Sequence, residues 1–273
     1  MIAFWWLPEN PQTAWFLSEA EQQVSTIRAL RDGSEVVNET FNLRECFQSW
    51  NNWRFPIWCI ISLTYPVAFA TTANFLPLVL RRLGYSVVMT NLLTVPPNVV
   101  GFLVLLAVTY SSDRNRERTY HVIGSLCISL VGLLILAFID ATANVGVAYF
   151  ACFMLASGAY IPSCLVHSWH NNNNLNENSR AATTGLLVGL GNLGGIISAA
   201  TFRTEYAPHY APTLIATAAC NVTCIIFTLW LGTWMRRWNQ KKDNELGVKL
   251  RAGDVVTSEL VHGEEDVNWR YFT

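Results

Sequence analysis

Charge is scarce in this sequence, and its distribution is more informative than its total. Asp, Glu, Lys and Arg make up 14% of the 273 residues, whereas soluble domains average about 25%. Of these charged residues, only 12 fall between positions 56 and 235. The composition therefore predicts an apolar region, 56–235, between two polar terminal regions, 1–55 and 236–273.

The chain also lacks an excess of charge of either sign and a recognisable set of metal ligands. Its net charge of −1 gives no basis for nucleic-acid binding. Cys220 and Cys224 lie one helical turn apart, but no His or second Cys pair completes a ligand set. We therefore expect free thiols, no metal, no cofactor and no nucleic-acid partner.

Uncharged runs are long and recur six times in the apolar region. A helix needs about 20 apolar residues to cross a bilayer, and such runs span as helices because backbone polar groups cannot go unpaired in lipid. The fold class predicted is an all-α membrane protein with six transmembrane helices, at about 56–78, 89–110, 120–139, 145–167, 183–202 and 212–235.

Basic residues predict how these helices are oriented. With six spans, both terminal regions share one side with the second and fourth connections, and that side holds 15 of the 18 Lys and Arg residues. Because basic residues favour the cytoplasmic side, we expect both termini in the cytoplasm. The plasma membrane is the expected location, although the basic residues do not indicate which membrane it is.

Two patterns outside the spans predict local structure. Ser18 and Glu21 fit a capping box that begins a short helix ending near Leu30. The asparagine-rich stretch at 170–180 is typical of a solvated loop between two spans.

The polar residues inside the spans are neutral, and Asp, Glu, Lys and Arg are missing from the middle of every span. Prolines interrupt the first two spans, and broken helices commonly line transport cavities. The alternative is a kink with hydrogen bonds between helices. His121 and His167 lie near the ends of their spans, as interfacial residues or as substitutes for a coupling carboxylate. The candidates for a substrate cavity are Tyr65, Thr71, Thr72, Asn74, Asn98 and Asn192.

The connection at 111–118, SSDRNRER, is the densest charge cluster of the apolar region. One interpretation is a cytoplasmic anchor. The other is a gating motif of Asp113, Arg114 and Arg116, in which Asp113 pairs with Arg116 or a helix end in one conformation and releases it in another.

A glycine-rich stretch raises an enzymatic alternative. Gly189, Gly191 and Gly194 spell the spacing of a dinucleotide-binding turn, but that turn needs a preceding strand, and apolar helix lies on both sides here. We interpret the glycines as helix-packing positions, where small residues let helices approach closely, and predict no enzymatic activity and no catalytic residue. The positions are Gly185, Gly189, Gly194 and Gly195.

Several stretches together resemble the second half of fungal major facilitator transporters of the anion:cation symporter family, the allantoate and nicotinate permeases. The resemblance covers nearly the whole chain, in order. Glu205-Tyr206 and the basic pair Arg81-Arg82 depart from the family pattern. The stretches are LPENPQTAWFLSEAE, FLPLVLRRLGYSVVMTNLLTVPP, SDRNRER, SWHNNNNLNENSRAATTGLLVGLGNLGGIIS, FRTEYAPHY and NWRYFT.

The resemblance implies one half of a twelve-helix fold, beginning at the end of a sixth helix. It implies proton-coupled uptake of a small organic anion or vitamin-like carboxylate by alternating access, with a missing first half or another transporter chain as partner. The alternative is a truncated, non-transporting membrane protein that interacts with or regulates a full permease.

Overall fold

The computed structural model describes residues 8, 11–31, 41–81, 84–140, 143–206, 210–255, 260, 264 and 266–273. Within these residues the regular structure is helical, with no strand. The expected end of a sixth helix at the start of the chain lies outside the described residues, which begin at Pro8. Nine α-helices are present in this part: α1 Glu19–Arg31, α2 Leu43–Cys46, α3 Arg54–Arg81, α4 Val87–Asn115, α5 Thr119–Phe138, α6 Val145–Ala159, α7 Ile161–Asn172, α8 Glu177–Thr201 and α9 Ala211–Leu246.

Six candidate membrane spans are long and apolar enough to cross a bilayer, in agreement with the six expected. Five of the spans are the single helices α3, α4, α5, α8 and α9. The fourth span in chain order is α6 followed by α7. The last span is longer than expected, because α9 continues for 36 residues and ends at Gly247 in the left-handed region, with φ 72°. At about 1.5 Å per residue, α9 projects well past the apolar region.

The first two spans are continuous where a break was expected, and the fourth is broken where none was. α3 runs through Pro66 and Pro77 and α4 runs through Pro96 and Pro97 without interruption. The fourth span changes helix at Tyr160, just before Pro162 in the first turn of α7. A proline has no N–H and its ring crowds the carbonyl four residues earlier, so it is tolerated best in a first turn.

α3 lies at the centre of the bundle, against α8 and α9, while α5 packs between α6 and α9 and α4 packs on α6. Within their most apolar 18 residues, 61% of α3 is buried but only 11% of α4. Two apolar cores fill the bundle. One contains Trp58, Trp169 and Met235, and the other contains Leu80, Leu136 and Leu214.

The ends of the bundle differ in charge. We call the end formed by the start of α3, the α4–α5 connection and the C-terminal part of α9 the basic end, since Arg54, Arg118 and Arg236 lie there. The polar regions also meet at this end. The predicted capping box is confirmed at the start of α1, with the Ser18 amide donating to Glu21 Oε2 at 2.9 Å and the Glu21 amide to Ser18 Oγ at 3.4 Å.

The asparagine-rich stretch is not a solvated loop, and that prediction is wrong. α7 continues to Asn172, Asn173 and Asn174 are buried, and Asn176 caps α8 by accepting from the Ser179 amide at 2.8 Å. Asparagine side chains can replace backbone partners at helix ends, so a polar tract becomes a packed corner between α7 and α8.

Candidate functional site

A tyrosine–histidine pair joins the first and fourth spans. The hydroxyl of Tyr65 on α3 lies 3.0 Å from Nε2 of His167 on α7. Tyr65 is buried, and Nδ1 of His167 is buried without a hydrogen-bond partner among the described residues. A neutral imidazole has one donor and one acceptor nitrogen. One ring nitrogen of His167 is therefore buried and unpaired within the described part of the chain.

A second polar pair joins the second and fourth spans. The hydroxyl of Tyr160, at the break between α6 and α7, donates to Asn98 Oδ1 at 3.0 Å, and the Asn98 amide donates to the Thr94 carbonyl at 2.9 Å. Phe69 of α3 packs edge-on against Tyr160, with 5.3 Å between ring centroids. We call Tyr65, Phe69, Asn98, Tyr160 and His167 the tyrosine face.

Three residues of the tyrosine face, Phe69, Asn98 and Tyr160, lie near the middle of the spans along the helix axes. Counted along α3, α4 and the fourth span, Phe69, Asn98 and Tyr160 are 11 to 17 residues from either end. That corresponds to about 16 to 26 Å of helix. Phe69 remains 37% exposed and Asn98 and Tyr160 are half-buried, so this face is accessible from outside the chain.

Sequence reasoning found only part of this face. Asn98, Tyr65 and His167 were singled out, but Phe69 and Tyr160 were not. Tyr160 precedes Ile161-Pro162, and a tyrosine just before a proline inside an apolar run was the available signal.

Thr71 and Thr72, two of the cavity candidates, are both buried, at 1% exposed. The Thr71 hydroxyl lies 2.9 Å from Ser198 Oγ and 3.2 Å from Thr217 Oγ1, which joins α3, α8 and α9. Thr72 donates to the Ala68 carbonyl of its own helix at 2.8 Å. Thr71 therefore joins three helices, whereas Thr72 bonds within its own helix, and neither side chain is exposed in this chain.

The two remaining cavity candidates are placed differently. The side chain of Asn74 lies outside the described residues. Asn192 is exposed on α8 beside Gly191, and a Cβ added at Gly191 would lie 4.0 Å from the Tyr65 hydroxyl oxygen. α8 therefore passes next to Tyr65 at Gly191, and Asn192 is exposed at the next position of that helix.

The predicted packing glycines divide into two groups. A Cβ at Gly194 would lie 2.8 Å from the Leu63 carbonyl oxygen, and one at Gly195 would lie 3.9 Å from Ala70 Cβ. α3 and α8 thus cross closely at Gly194. A Cβ at Gly185 or Gly189 would meet no described atom within 4 Å, so these two glycines make no such contact within the described part of the chain.

The charged side chains of the α4–α5 connection pair differently from the expected Asp113–Arg116 pairing. Asp113 pairs with Arg118, at 2.5 Å, rather than with Arg116. Arg116 has φ 51° and ends α4, and its guanidinium lies 5.8 Å from the ring of Phe272. Arg114 is exposed. Because Arg116 turns the chain, its side chain points away from Asp113 and Arg118 takes the pairing position.

Glu117 connects this loop to the last span. It accepts from Arg236 of α9 at 2.7 Å, from His121 Nδ1 at 2.8 Å and from the Tyr120 amide at 2.8 Å. The guanidinium of Arg236 also lies 3.7 Å from the Tyr120 ring centroid. One carboxylate in the α4–α5 connection therefore joins the start of α5 to α9.

Comparison with known proteins identifies the family. The model of the Major Facilitator Superfamily matches residues 1–199. The chain belongs to this superfamily. It is 59% identical over 272 residues to the major facilitator-type transporter hxnP of Emericella nidulans, covering 100% of this chain and 55% of the relative. It is 42% identical over 270 residues to the MFS-type transporter efuF of Hormonema carpetanum, covering 99% and 54%.

The match to an uncharacterized transporter of Schizosaccharomyces pombe is 32% identical over 272 residues, covering 100% of this chain and 54% of that protein. The chain spans about half the length of the curated relatives it matches. No solved structure matches it. Its family and its six apolar helices together show an integral, multi-pass membrane protein.

Proposed function

We propose that this chain forms one half of a secondary transporter that moves a small organic anion, such as nicotinate or allantoate, together with protons by alternating access. The observation that carries the proposal is the tyrosine face. This face contains neutral hydrogen-bond donors and acceptors from three spans. Phe69, Asn98 and Tyr160 lie near the middle of their spans, and such transporters bind their substrates near the bilayer midplane.

The chemistry of this face suits a small carboxylate. The Tyr65 and Tyr160 hydroxyls and the Asn98 amide supply hydrogen bonds, and Phe69 supplies an exposed ring for a planar solute. His167 adds an ionisable group, whose Nδ1 is buried without a hydrogen-bond partner among the described residues. Because ionisable groups inside the membrane are costly and functional, His167 is the proposed proton-binding residue on this half.

The remaining surface is proposed to face the other half of the transporter. The most exposed spans are α4 and α8, and Asn192, Gly185 and Gly189 lie open on α8. A second six-helix half packed there would enclose the tyrosine face. The superfamily relationship favours transport over a purely regulatory role.

The topology proposed places the basic end in the cytoplasm of a plasma-membrane protein, from the asymmetry of Lys and Arg. Residues 1–55 and 236–273 are then cytoplasmic and 56–235 form the membrane domain. The gating motif is extended to Arg118, which holds Asp113 in the observed conformation.

The test is uptake by a chimera. The first half of the 59% identical relative is fused ahead of this chain and expressed in cells lacking endogenous uptake of labelled nicotinate and allantoate. We expect accumulation of one of these anions, faster at acidic than at neutral external pH. A chimera that reaches the membrane and accumulates neither anion would contradict the substrate class.

Two tyrosines give a matched pair of variants for the site. Tyr160→Phe removes the hydrogen bond to Asn98, and Tyr149→Phe removes one to the Leu93 carbonyl, at 3.1 Å, between the same two spans. We expect Tyr160→Phe to lower uptake about tenfold, the effect of losing roughly 1.4 kcal/mol, and Tyr149→Phe to leave it nearly unchanged. Equal losses in both variants would show that the tyrosine face is not the substrate site.

A further inference from the structure

The last residues of the sequence are bound like a peptide ligand at the basic end. Two asparagines hold consecutive residues by their main chain. Asn239 of α9 accepts from the Tyr271 amide at 2.9 Å and donates to the Tyr271 carbonyl at 2.8 Å. Asn173, after α7, accepts from the Phe272 amide at 2.9 Å and donates to its carbonyl at 3.0 Å. Each asparagine side chain therefore hydrogen-bonds both the backbone N–H and the backbone C=O of one residue.

Side chains of this segment, residues 269–273, are buried among the helix ends. Trp269, Arg270 and Tyr271 are 2%, 1% and 4% exposed. Arg270 donates from Nε to Asp243 of α9 at 2.8 Å. A short segment that buries three large side chains is specifically recognised and is not merely in contact with the surface.

Tyr271 is recognised at both its ring and its hydroxyl. Its ring lies 5.1 Å from the guanidinium carbon of Arg54, at the start of α3, and its hydroxyl donates to Glu264 at 3.2 Å. Glu264 also pairs with Arg54. Burial raises the pKa of the Tyr271 phenol, so it stays protonated and able to donate. This contact ties the segment to the first span.

Two further donors depend on carbonyl groups of the segment. The fully buried Trp169 of α7 donates from Nε1 to the Phe272 carbonyl at 2.8 Å, and the Arg118 amide donates to Thr273 O at 2.5 Å. A buried donor without a partner is costly. The helix ends are therefore better satisfied with the segment in place than without it.

We propose that the basic end is a peptide-binding site whose occupant is the chain's own 269–273 segment, and that occupation of this site locks the α4–α5 connection. The segment bridges α3, α7 and α9 to the Arg116–Arg118 turn, through the Phe272 ring and the Thr273 carbonyl. The hydrogen bonds and ring contacts of the segment described above involve no residue of the tyrosine face. The proposal is therefore independent of which anion is transported.

Binding in trans tests the site directly. A chain that ends at Asn268 is purified in detergent and titrated with a fluorescein-labelled peptide of sequence NWRYFT. Saturable binding is expected to the shortened chain and not to the parent, whose site is filled. A peptide with alanine in place of Arg and Tyr should bind at least about tenfold more weakly, because it loses the contacts to Asp243, Arg54 and Glu264.

The restraint that the bound segment places on the α4–α5 connection is measured by trypsin cleavage in the Arg116–Arg118 turn. We expect cleavage of the shortened chain to be at least about tenfold faster than that of the parent, as local opening exposes the turn, and to slow again when the peptide is added. A folded, shortened chain that shows no saturable peptide binding, or a turn that is cleaved at the parent rate, would overturn the proposal.

A full-length variant keeps the test decisive if the shortened chain does not fold. Asn239→Ala removes the two hydrogen bonds to the Tyr271 backbone. Asn244→Ala, which changes an exposed asparagine on the same helix, is the control. Faster cleavage of the turn in Asn239→Ala alone supports the proposal. Equal rates in the two variants and the parent would overturn it.

Discussion

The middle of the bundle and its basic end are held together by different forces. In the middle, helices meet through small residues and neutral hydroxyls, as where a Cβ added at Gly132 of α5 would lie 2.9 Å from the Ala151 carbonyl oxygen of α6. At the basic end, carboxylates and arginines join helices, as Glu117 joins the α4–α5 connection to α9. The two regions belong to the same helices but face different surroundings.

The difference follows from what surrounds each region. In hydrocarbon an unpaired charge is costly and association depends on close packing. Near water, charged groups are hydrated and can exchange partners at modest cost. The middle is therefore suited to keep its shape and the basic end to rearrange, as the proposed alternating access would require.

The largest effect is expected from crowding the middle. Gly132→Leu forces α5 away from α6, because a Cβ at this position already meets backbone atoms of Ala151 and Leu155. We expect a loss of about 2 to 3 kcal/mol, seen as a lower midpoint of thermal unfolding in detergent. Gly124→Leu on the same helix is the control, since a Cβ there meets no described atom within 4 Å. Similar midpoints for both variants would show that close packing does not hold this region.

A smaller effect is expected from breaking the charge network at the basic end. Glu117→Ala leaves the half-buried Arg236 without its carboxylate, and we expect a loss of about 1 to 2 kcal/mol, measured by the same midpoint. Glu245→Ala breaks the exposed pair with Lys241 at 3.9 Å and should change the midpoint little. If Glu117→Ala proved as damaging as Gly132→Leu, the proposed contrast between the two regions would be wrong.

The smallest effect concerns how acid loosens the segment before α3. Hydrogen bonds from Asn178 and Asn176 hold the pKa of Glu45 below its ordinary value of 4.5. The contact is therefore fully present above that value and is lost as the pH falls through the lowered pKa. Hydrogen exchange of residues 42–52, corrected for the intrinsic rate, should speed up in this acidic range. Glu45→Gln should remove the pH dependence, and Glu19→Gln on α1 should retain it; a retained pH dependence in Glu45→Gln would exclude this carboxylate.

Much of the fold followed from composition, because hydrocarbon imposes one simple rule. The six uncharged runs predicted six helices, and the capping box predicted the start of α1. The site was harder to predict. Thr71 and Asn98 are both neutral polar residues in spans, yet Thr71 bonds inside the bundle and Asn98 receives Tyr160 on an accessible face.

What the sequence determined by itself was the number of spans, their approximate bounds and the absence of charge from their centres, since each depends on local composition alone. Tertiary structure decided the rest. Tyr65 meets His167 across 102 positions, and Asn173 holds Phe272 across 99. Such contacts depend on which helix faces turn toward each other and where a proline breaks a span. That choice is made by packing over the whole bundle, so a local pattern cannot reveal it.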